Sequence, residues 1–99
     1  MSITGPQARA ARALVQWPRS HVAGLADLTL ETLTEFETGK TDIGPAAVAR
    51  LRQALESGGA VFIDEDDAGA GVRLKFTRRD VRSINRLEGE GGVVGSDDV

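Results

Sequence analysis

The sequence has no cysteine and only one histidine, His21. Without cysteine the chain can form no disulfide framework, offers no thiolate nucleophile and cannot build a cysteine zinc site. A metal bound by His21 would need further ligands, and the sequence does not offer them. We therefore expect His21 to be exposed and the protein to hold no metal and no cofactor.

Long apolar stretches are missing as well. No run approaches the roughly 18 apolar residues that a membrane-spanning helix needs. The opening residues, MSITGP, have neither the basic flank nor the apolar segment of a signal peptide. These absences predict a cytoplasmic protein without a membrane partner, and 99 residues are enough for one domain with a single core.

The chain also lacks an excess of positive charge, since its formal net charge is -3. Proteins that hold phosphate backbones usually carry a surplus of Lys and Arg. Residues 1–58 contain six basic and six acidic side chains, and the remainder contains six basic and nine acidic ones. The deficit therefore lies outside the first part, where DNA could be bound only through a local cationic patch.

The chain is organised around residues 22–37. Small and apolar residues end one short segment, Asp27 stands at a tight corner, and Thr29 opens a second segment in which Leu33 and Phe36 lie three apart. This pattern is typical of a helix-turn-helix. Thr29 has the side-chain oxygen that an N-cap needs, and Asp is among the few non-glycine residues that tolerate a positive φ at such a corner.

Helix-forming segments with proline or Thr at their starts surround this motif. We predict helices over residues 6–15, 18–25, 29–38 and 46–57. On the first helix we expect the inward face to consist of Ala10, Ala11, Leu14 and Val15. Trp17 lies at the joint that follows, and we expect it to be an apolar plug between the first two helices.

A change of period after Gly58 predicts β structure. Residues 60–64 are β-branched and aromatic, residues 72–76 alternate apolar with basic side chains, and the connection between them has turn chemistry. Arg73 and Lys75 should face solvent. Because a two-stranded ribbon is marginal alone, it should pack on the helices, extend across a dimer, or both.

The predicted fold is mostly α with a small β-hairpin. We divide the chain into a helix-turn-helix DNA-binding domain over 1–58, a packing or dimerising part over 59–87 and a flexible, glycine-rich and acidic tail over 88–99. The second part includes the hairpin and a possible short basic helix over 78–87, in which apolar residues are spaced by three.

Several runs together resemble the lambda-repressor-like regulators of the xenobiotic-response-element type, a bacterial and phage family. The resemblance covers roughly residues 4–76. It is carried by the corner described above and by residues 10–17 (AARALVQW), 33–41 (LTEFETGKT) and 51–56 (LRQALE). Residues 61–64 and 71–74 are similar to a short subgroup in which two strands follow four helices.

The resemblance implies a transcriptional regulator that binds double-stranded DNA as a homodimer, with two recognition helices about 34 Å apart. Family members place the second helix of the motif in the major groove. The positions that would meet base edges are Leu30, Glu31, Thr34 and Glu35, with the capping residue Thr29 at their border.

Other matching positions lie beside the motif. Arg19 stands where the family often has Gln near the start of the second helix, a phosphate and base contact. Lys40 and Thr41 match a family loop that touches phosphate. Arg12 and Glu37 match positions that form a partly buried ion pair in some relatives.

The chain departs from the family at the reading positions, where relatives usually offer Arg, Gln, Ser or Asn. Glu31 and Glu35 would approach the polyanion together, although Glu can accept from cytosine and Leu30 can touch a thymine methyl. Arg19, Lys40, the helix N-terminus and either Arg50 or Arg52 would have to offset the repulsion. The alternative is a protein-interaction module on the same scaffold that binds a transcription component such as an RNA polymerase subunit, another regulator or a toxin.

Two further runs are similar to the start or end of known ligand-binding motifs, but each lacks a residue that its motif requires. Residues 39–41 (GKT) end like a phosphate-binding P-loop, but that motif needs a glycine five residues before Gly39, where Thr34 stands. The acidic run from Asp64 is similar to the start of a calcium loop, yet its twelfth position is Lys75 where a bidentate Glu is needed. No arrangement of Ser, His and Asp suggests a nucleophile, and we expect no enzymatic activity.

Overall fold

The structure, a computed structural model, describes residues 2–77. Its elements are α1 (Gly5–Val15), α2 (Arg19–Ala26), α3 (Leu30–Glu37), α4 (Pro45–Ser57), β1 (Ala60–Ile63) and β2 (Gly71–Leu74). The two strands form one antiparallel hairpin. The predicted fold class is therefore confirmed, whereas the helix and tail expected over 78–87 and 88–99 lie outside the described residues.

The helix starts follow from local chemistry. Thr4 caps α1 in a reciprocal pair: the Gln7 backbone N–H donates to Thr4 Oγ1 at 3.2 Å, and the Thr4 N–H donates to Gln7 Oε1 at 2.9 Å. Prolines in the first turns of α1 and α4 lose no intrahelical hydrogen bond there. The predicted helix bounds consequently agree with the observed ones to within one or two residues.

The buried face of α1 differs from the prediction. Ala11 is fully buried and Val15 packs against the core, but Ala10 is exposed and Leu14 is 40% exposed. The prediction for Ala10 and Leu14 was wrong because α1 carries alanine on several sides, so apolar type does not mark one face. A polar residue, Gln7, takes the inward position one turn before Ala11.

All four helices and the hairpin share one core. Its fully buried centre is formed by Leu33 of α3 with Leu51 and Leu55 of α4, and Phe62 of β1 joins the same cluster. The hairpin therefore packs on the helices, as expected for a ribbon that is marginal alone. Within residues 2–77, no helix has both the length and the apolar character needed to cross a membrane.

Trp17 fills the joint between the first two helices and the end of α4. The ring is half-buried and packs against the core, as predicted, and a Cβ added at Gly58 would lie 2.7 Å from it. His21 is exposed, also as predicted, and its ring meets the Trp17 ring edge-on at a centroid distance of 4.6 Å. Both residues thus have a packing role.

The hairpin is fixed to α1 through Gln7. Its Nε2 donates to the carbonyl oxygens of Gly71 at 2.9 Å and Ile63 at 3.3 Å, which are opposite each other in the ladder. The second strand was predicted over residues 72–76, but β2 spans Gly71–Leu74, so the prediction begins one residue late and ends two residues late; Phe76 is 39% exposed. One buried amide therefore connects both strands to the first helix.

Gly5 lies where α1 closely approaches α3, and Gly24 of α2 has no such neighbour. A Cβ at Gly5 would overlap the carbonyl oxygen of Phe36, whereas a Cβ at Gly24 would meet nothing within 4 Å. We expect Gly5→Ala to lower the free energy of unfolding by about 1–3 kcal/mol through overpacking. Gly24→Ala, the matched control within α2, should raise it by about 0.5–1 kcal/mol. Urea denaturation followed by circular dichroism measures both, and equal effects would contradict the close contact.

Candidate nucleic-acid interface

The corner between α2 and α3 has the predicted conformation. Asp27 ends α2 with φ 57° and ψ 49°, a left-handed conformation. The Leu28 backbone N–H then donates to the Ala23 carbonyl at 2.9 Å, which closes the helix end. Thr29 caps α3, since its Oγ1 accepts from the Thr32 N–H at 3.0 Å. Two eight-residue helices are thus joined by a turn of three residues.

The inner side of α3 is anchored in the protein. Leu33 is fully buried, Phe36 is 8% exposed, and Glu37 is 1% exposed although it is charged. The outer side is accessible: Leu30 is 52% exposed, Glu31 is also exposed, and Thr34 and Glu35 are half-buried. The structure therefore brings the four predicted reading residues to one accessible side of a fixed helix.

The polar groups of this outer side are partly engaged within the motif. Thr34 Oγ1 donates to the Leu30 carbonyl at 2.8 Å, so its hydrogen is used while its oxygen can still accept. Thr41 Oγ1 lies 3.5 Å from Glu35 Oε1, at the outer limit of a hydrogen bond. Glu31 has no such partner within residues 2–77, so its charge faces solvent.

The loop after α3 carries the predicted phosphate-contacting residues. Gly39 adopts a φ of 78°, and the Lys40 backbone N–H donates to the Glu35 carbonyl at 2.8 Å. The side chains of Lys40 and Thr41 are exposed. An eight-residue helix is about 12 Å long, so this cation lies near the end of α3 opposite Leu30.

A buried ion cluster joins three helices at the end of α3. Arg12 binds Glu37 with two hydrogen bonds, from Nε at 2.8 Å and from Nη2 at 3.0 Å. Arg19, the first residue of α2, donates from Nε to the same carboxylate at 2.9 Å. The ion pair implied by the family resemblance, Arg12 with Glu37, is therefore present. Arg19 joins this pair to form a cluster of three side chains.

The ion pair of Arg19 with Glu37 has no signal in the sequence. Eighteen positions separate Arg19 from Glu37, and no local spacing relates the two residues. The Arg19 side chain nevertheless remains 34% exposed. Arg50 was expected, as an alternative to Arg52, to offset repulsion at the DNA, and its Nε donates to the Ala26 carbonyl at 2.9 Å and so closes the end of α2.

Most basic side chains near the motif are therefore already bound to a partner within the protein. Arg52 forms an ion pair with Glu56 at 3.0 Å, and its guanidinium lies over the Phe62 ring. In the part of the chain that the structure describes, no group of His, Asp and Glu comes together in a way that could hold a metal ion. The chemistry available on this surface is hydrogen bonding, apolar contact and charge.

No protein-family model matches this chain, and no curated protein matches it either.

The ion cluster should contribute to stability through its buried carboxylate. Glu37→Ala would leave two guanidinium groups without their shared acceptor, and we expect a loss of about 3 kcal/mol, at the low end for buried pairs because both arginines reach solvent. The control is Glu56→Ala, which removes an exposed pair within α4 and should cost only about 0.3–0.5 kcal/mol. Urea unfolding followed by Trp17 fluorescence compares them. If Glu37→Ala were as mild as Glu56→Ala, the cluster would not anchor α3.

Proposed function

We propose that this chain is a sequence-specific DNA-binding transcriptional regulator of the lambda-repressor-like type, acting as a homodimer in the cytoplasm. The observation that carries the proposal is the two-sided character of α3. Its inner residues are buried, while Leu30 and Glu31 stand in solvent directly after a three-residue turn. A helix held in this way can enter the major groove by its first turns.

Each exposed group has a chemical counterpart on base edges. Leu30 can contact a thymine methyl, Glu31 and Glu35 can accept from cytosine N4, and the Thr34 hydroxyl can pair with several bases. Thr29 supports this arrangement by fixing the first turn of α3. These preferences would favour sites with cytosine and thymine at the contacted positions.

Phosphates would be held beside α3. Lys40 and Thr41 are exposed just beyond the end of the helix. Arg19 uses Nε for Glu37, and because it is 34% exposed its remaining N–H groups can reach a phosphate. In this proposal the buried carboxylate orients the guanidinium before DNA arrives.

A homodimer would place two such helices on successive major grooves. Two-fold symmetry requires the recognition helices to lie about 34 Å apart, one turn of duplex, and predicts a palindromic operator. No cofactor or metal takes part in this proposal. The protein would have no catalytic activity.

A protein-interaction module is the second candidate. It is favoured by the carboxylates of Glu31 and Glu35, which a polyanion repels, and by the 52% exposed side chain of Leu30 beside them. An apolar residue with neighbouring acids would suit a basic protein surface, on a transcription component, another regulator or a toxin. The same helix would then make the contact.

A binding series with mixed genomic fragments separates the two candidates. The wild-type protein should show saturable, salt-sensitive mobility shifts. Lys40→Ala should weaken binding to all sequences and reduce the slope of log affinity against log salt by about 0.9, the value for one phosphate contact. Lys40→Arg, which keeps the charge, should leave the slope unchanged. Absence of any shift, together with a co-purifying protein, would favour the interaction module.

Charge at the reading face gives a second test. Glu31→Gln removes a carboxylate facing the polyanion but keeps an acceptor oxygen, so we expect DNA affinity to rise roughly three- to tenfold at low salt. Glu31→Asp keeps the charge and should not produce this gain. Fluorescence anisotropy on a labelled duplex measures both variants. If the affinity of Glu31→Gln were unchanged, this face of α3 would not be part of the DNA interface.

A further inference from the structure

The hydroxyl hydrogens on the outer side of α3 are used within the protein. Thr34 Oγ1 donates to the Leu30 carbonyl at 2.8 Å, and Thr38 Oγ1 donates to the Thr34 carbonyl, also at 2.8 Å. A threonine hydroxyl has a single hydrogen, so each of these oxygens can still accept a hydrogen bond but has nothing further to donate. Thr32 lies about 160° around the helix from both Leu30 and Thr34, and it does not belong to this side.

The other side chains of this surface add no donor. Glu31 is exposed and Glu35 is half-buried, and a carboxylate only accepts hydrogen bonds. Leu30 is exposed and apolar. We call Leu30, Glu31, Thr34 and Glu35 the reading face. Its side chains offer acceptors and one apolar contact, but no hydrogen-bond donor.

Donors lie close to α3 but not on the reading face. Backbone N–H groups in the first turn of a helix point along its axis, where a phosphate is a suitable partner. Lys40 follows the opposite end of this eight-residue helix, and Arg19 is bound to Glu37 at that same end. These groups can hold the duplex backbone, whereas base edges in front of the reading face would meet acceptors.

A surface of acceptors distinguishes bases by their amino groups. In the major groove only cytosine N4 and adenine N6 donate, while guanine offers the acceptors N7 and O6, and thymine offers the acceptor O4 and a methyl group. Two acceptors that face each other form no hydrogen bond, and both lose the water that they had bound. The reading face therefore complements amino groups and the thymine methyl, and it has no side chain that could bind guanine N7 or O6.

We propose that the reading face forms hydrogen bonds with DNA only through the amino groups of cytosine and adenine, so that methylation of these amino groups prevents binding. In a base pair one amino hydrogen is used for pairing and the other points into the major groove. A methyl group that leaves pairing intact must replace the second hydrogen, and it then sets an apolar group against a carboxylate. Because this requires α3 in the major groove, the inference rests on the proposed function.

The test uses the full chain and a random-sequence duplex library that is enriched by binding to the wild-type protein. The enriched pool is then copied separately with N4-methylcytosine, with N6-methyladenine and with 7-deazaguanine. Fluorescence anisotropy should show at least one amino-methylated pool binding about fivefold more weakly or worse, the usual effect of one wrong base pair. The 7-deazaguanine pool is the matched control, since it lacks only an acceptor that the reading face cannot use, and it should bind like the unmodified pool. Melting curves verify that every pool is double-stranded.

A double variant assigns the effect to the reading face. Glu31→Gln with Glu35→Gln gives both positions an amide that can donate as well as accept. A pool enriched by this variant should bind more weakly when 7-deazaadenine replaces adenine, because Gln pairs with adenine N6 and N7 together. Glu31→Asp with Glu35→Asp keeps acceptors alone, and its pool should tolerate 7-deazaadenine. Circular dichroism and the unfolding midpoint verify that both variants are folded.

Failure of this inference can be told apart from failure of the proposed function. If the wild type enriches a pool whose binding falls with 7-deazaguanine, or tolerates both amino methylations, sequence-specific binding stands and recognition through amino groups is refuted. If the wild type binds duplexes but enriches no sequence, base reading by α3 fails and recognition through amino groups fails with it. A wild-type protein that binds no duplex at all would also overturn the proposal that it is a DNA-binding protein.

Discussion

The carboxylate of Glu37 is the constraint on which the arrangement of the first three helices depends. It is 1% exposed and accepts three hydrogen bonds from two guanidinium groups, each belonging to a different helix. A buried charge is costly unless it is paired and hydrogen-bonded, so α1, α2 and the end of α3 must stay together. Gly5 permits the necessary approach, because its missing side chain leaves room for the Phe36 carbonyl.

This anchoring also determines where charge is available. Fixing the inner side of α3 turns Leu30 and Glu31 outward, and the same contact binds the Nε groups of Arg12 and Arg19 to the Glu37 carboxylate. The helical part is thereby left with an accessible, partly acidic helix and few unengaged cations. In the sequence, the largest positive excess lies instead over residues 73–86, which contain six basic side chains and one acidic one.

Local features were predictable wherever a single residue decides the backbone. Thr29 and Asp27 marked the cap and the corner, because a side-chain acceptor and tolerance of positive φ are properties of those residues. The face of α1 was not predictable in the same way. Ala10 and Ala11 are equally apolar, and which of them is buried depends on where α3 and the hairpin lie. Gln7 was missed because a polar residue gives no sign in the sequence that two strand carbonyls will lie within reach of its amide.

The sequence by itself determined the four helices, the turn between α2 and α3, the hairpin and the total charge, since propensity, capping and periodicity act over a few neighbouring residues. Only the tertiary structure decided which polar and charged side chains are bound to a partner within the protein. Arg19 meets Glu37, Arg50 meets the Ala26 carbonyl, and Gln7 meets both strands across long sequence separations. Such contacts form because burial leaves a polar group no water to bind, and the partner is whichever group the fold brings near.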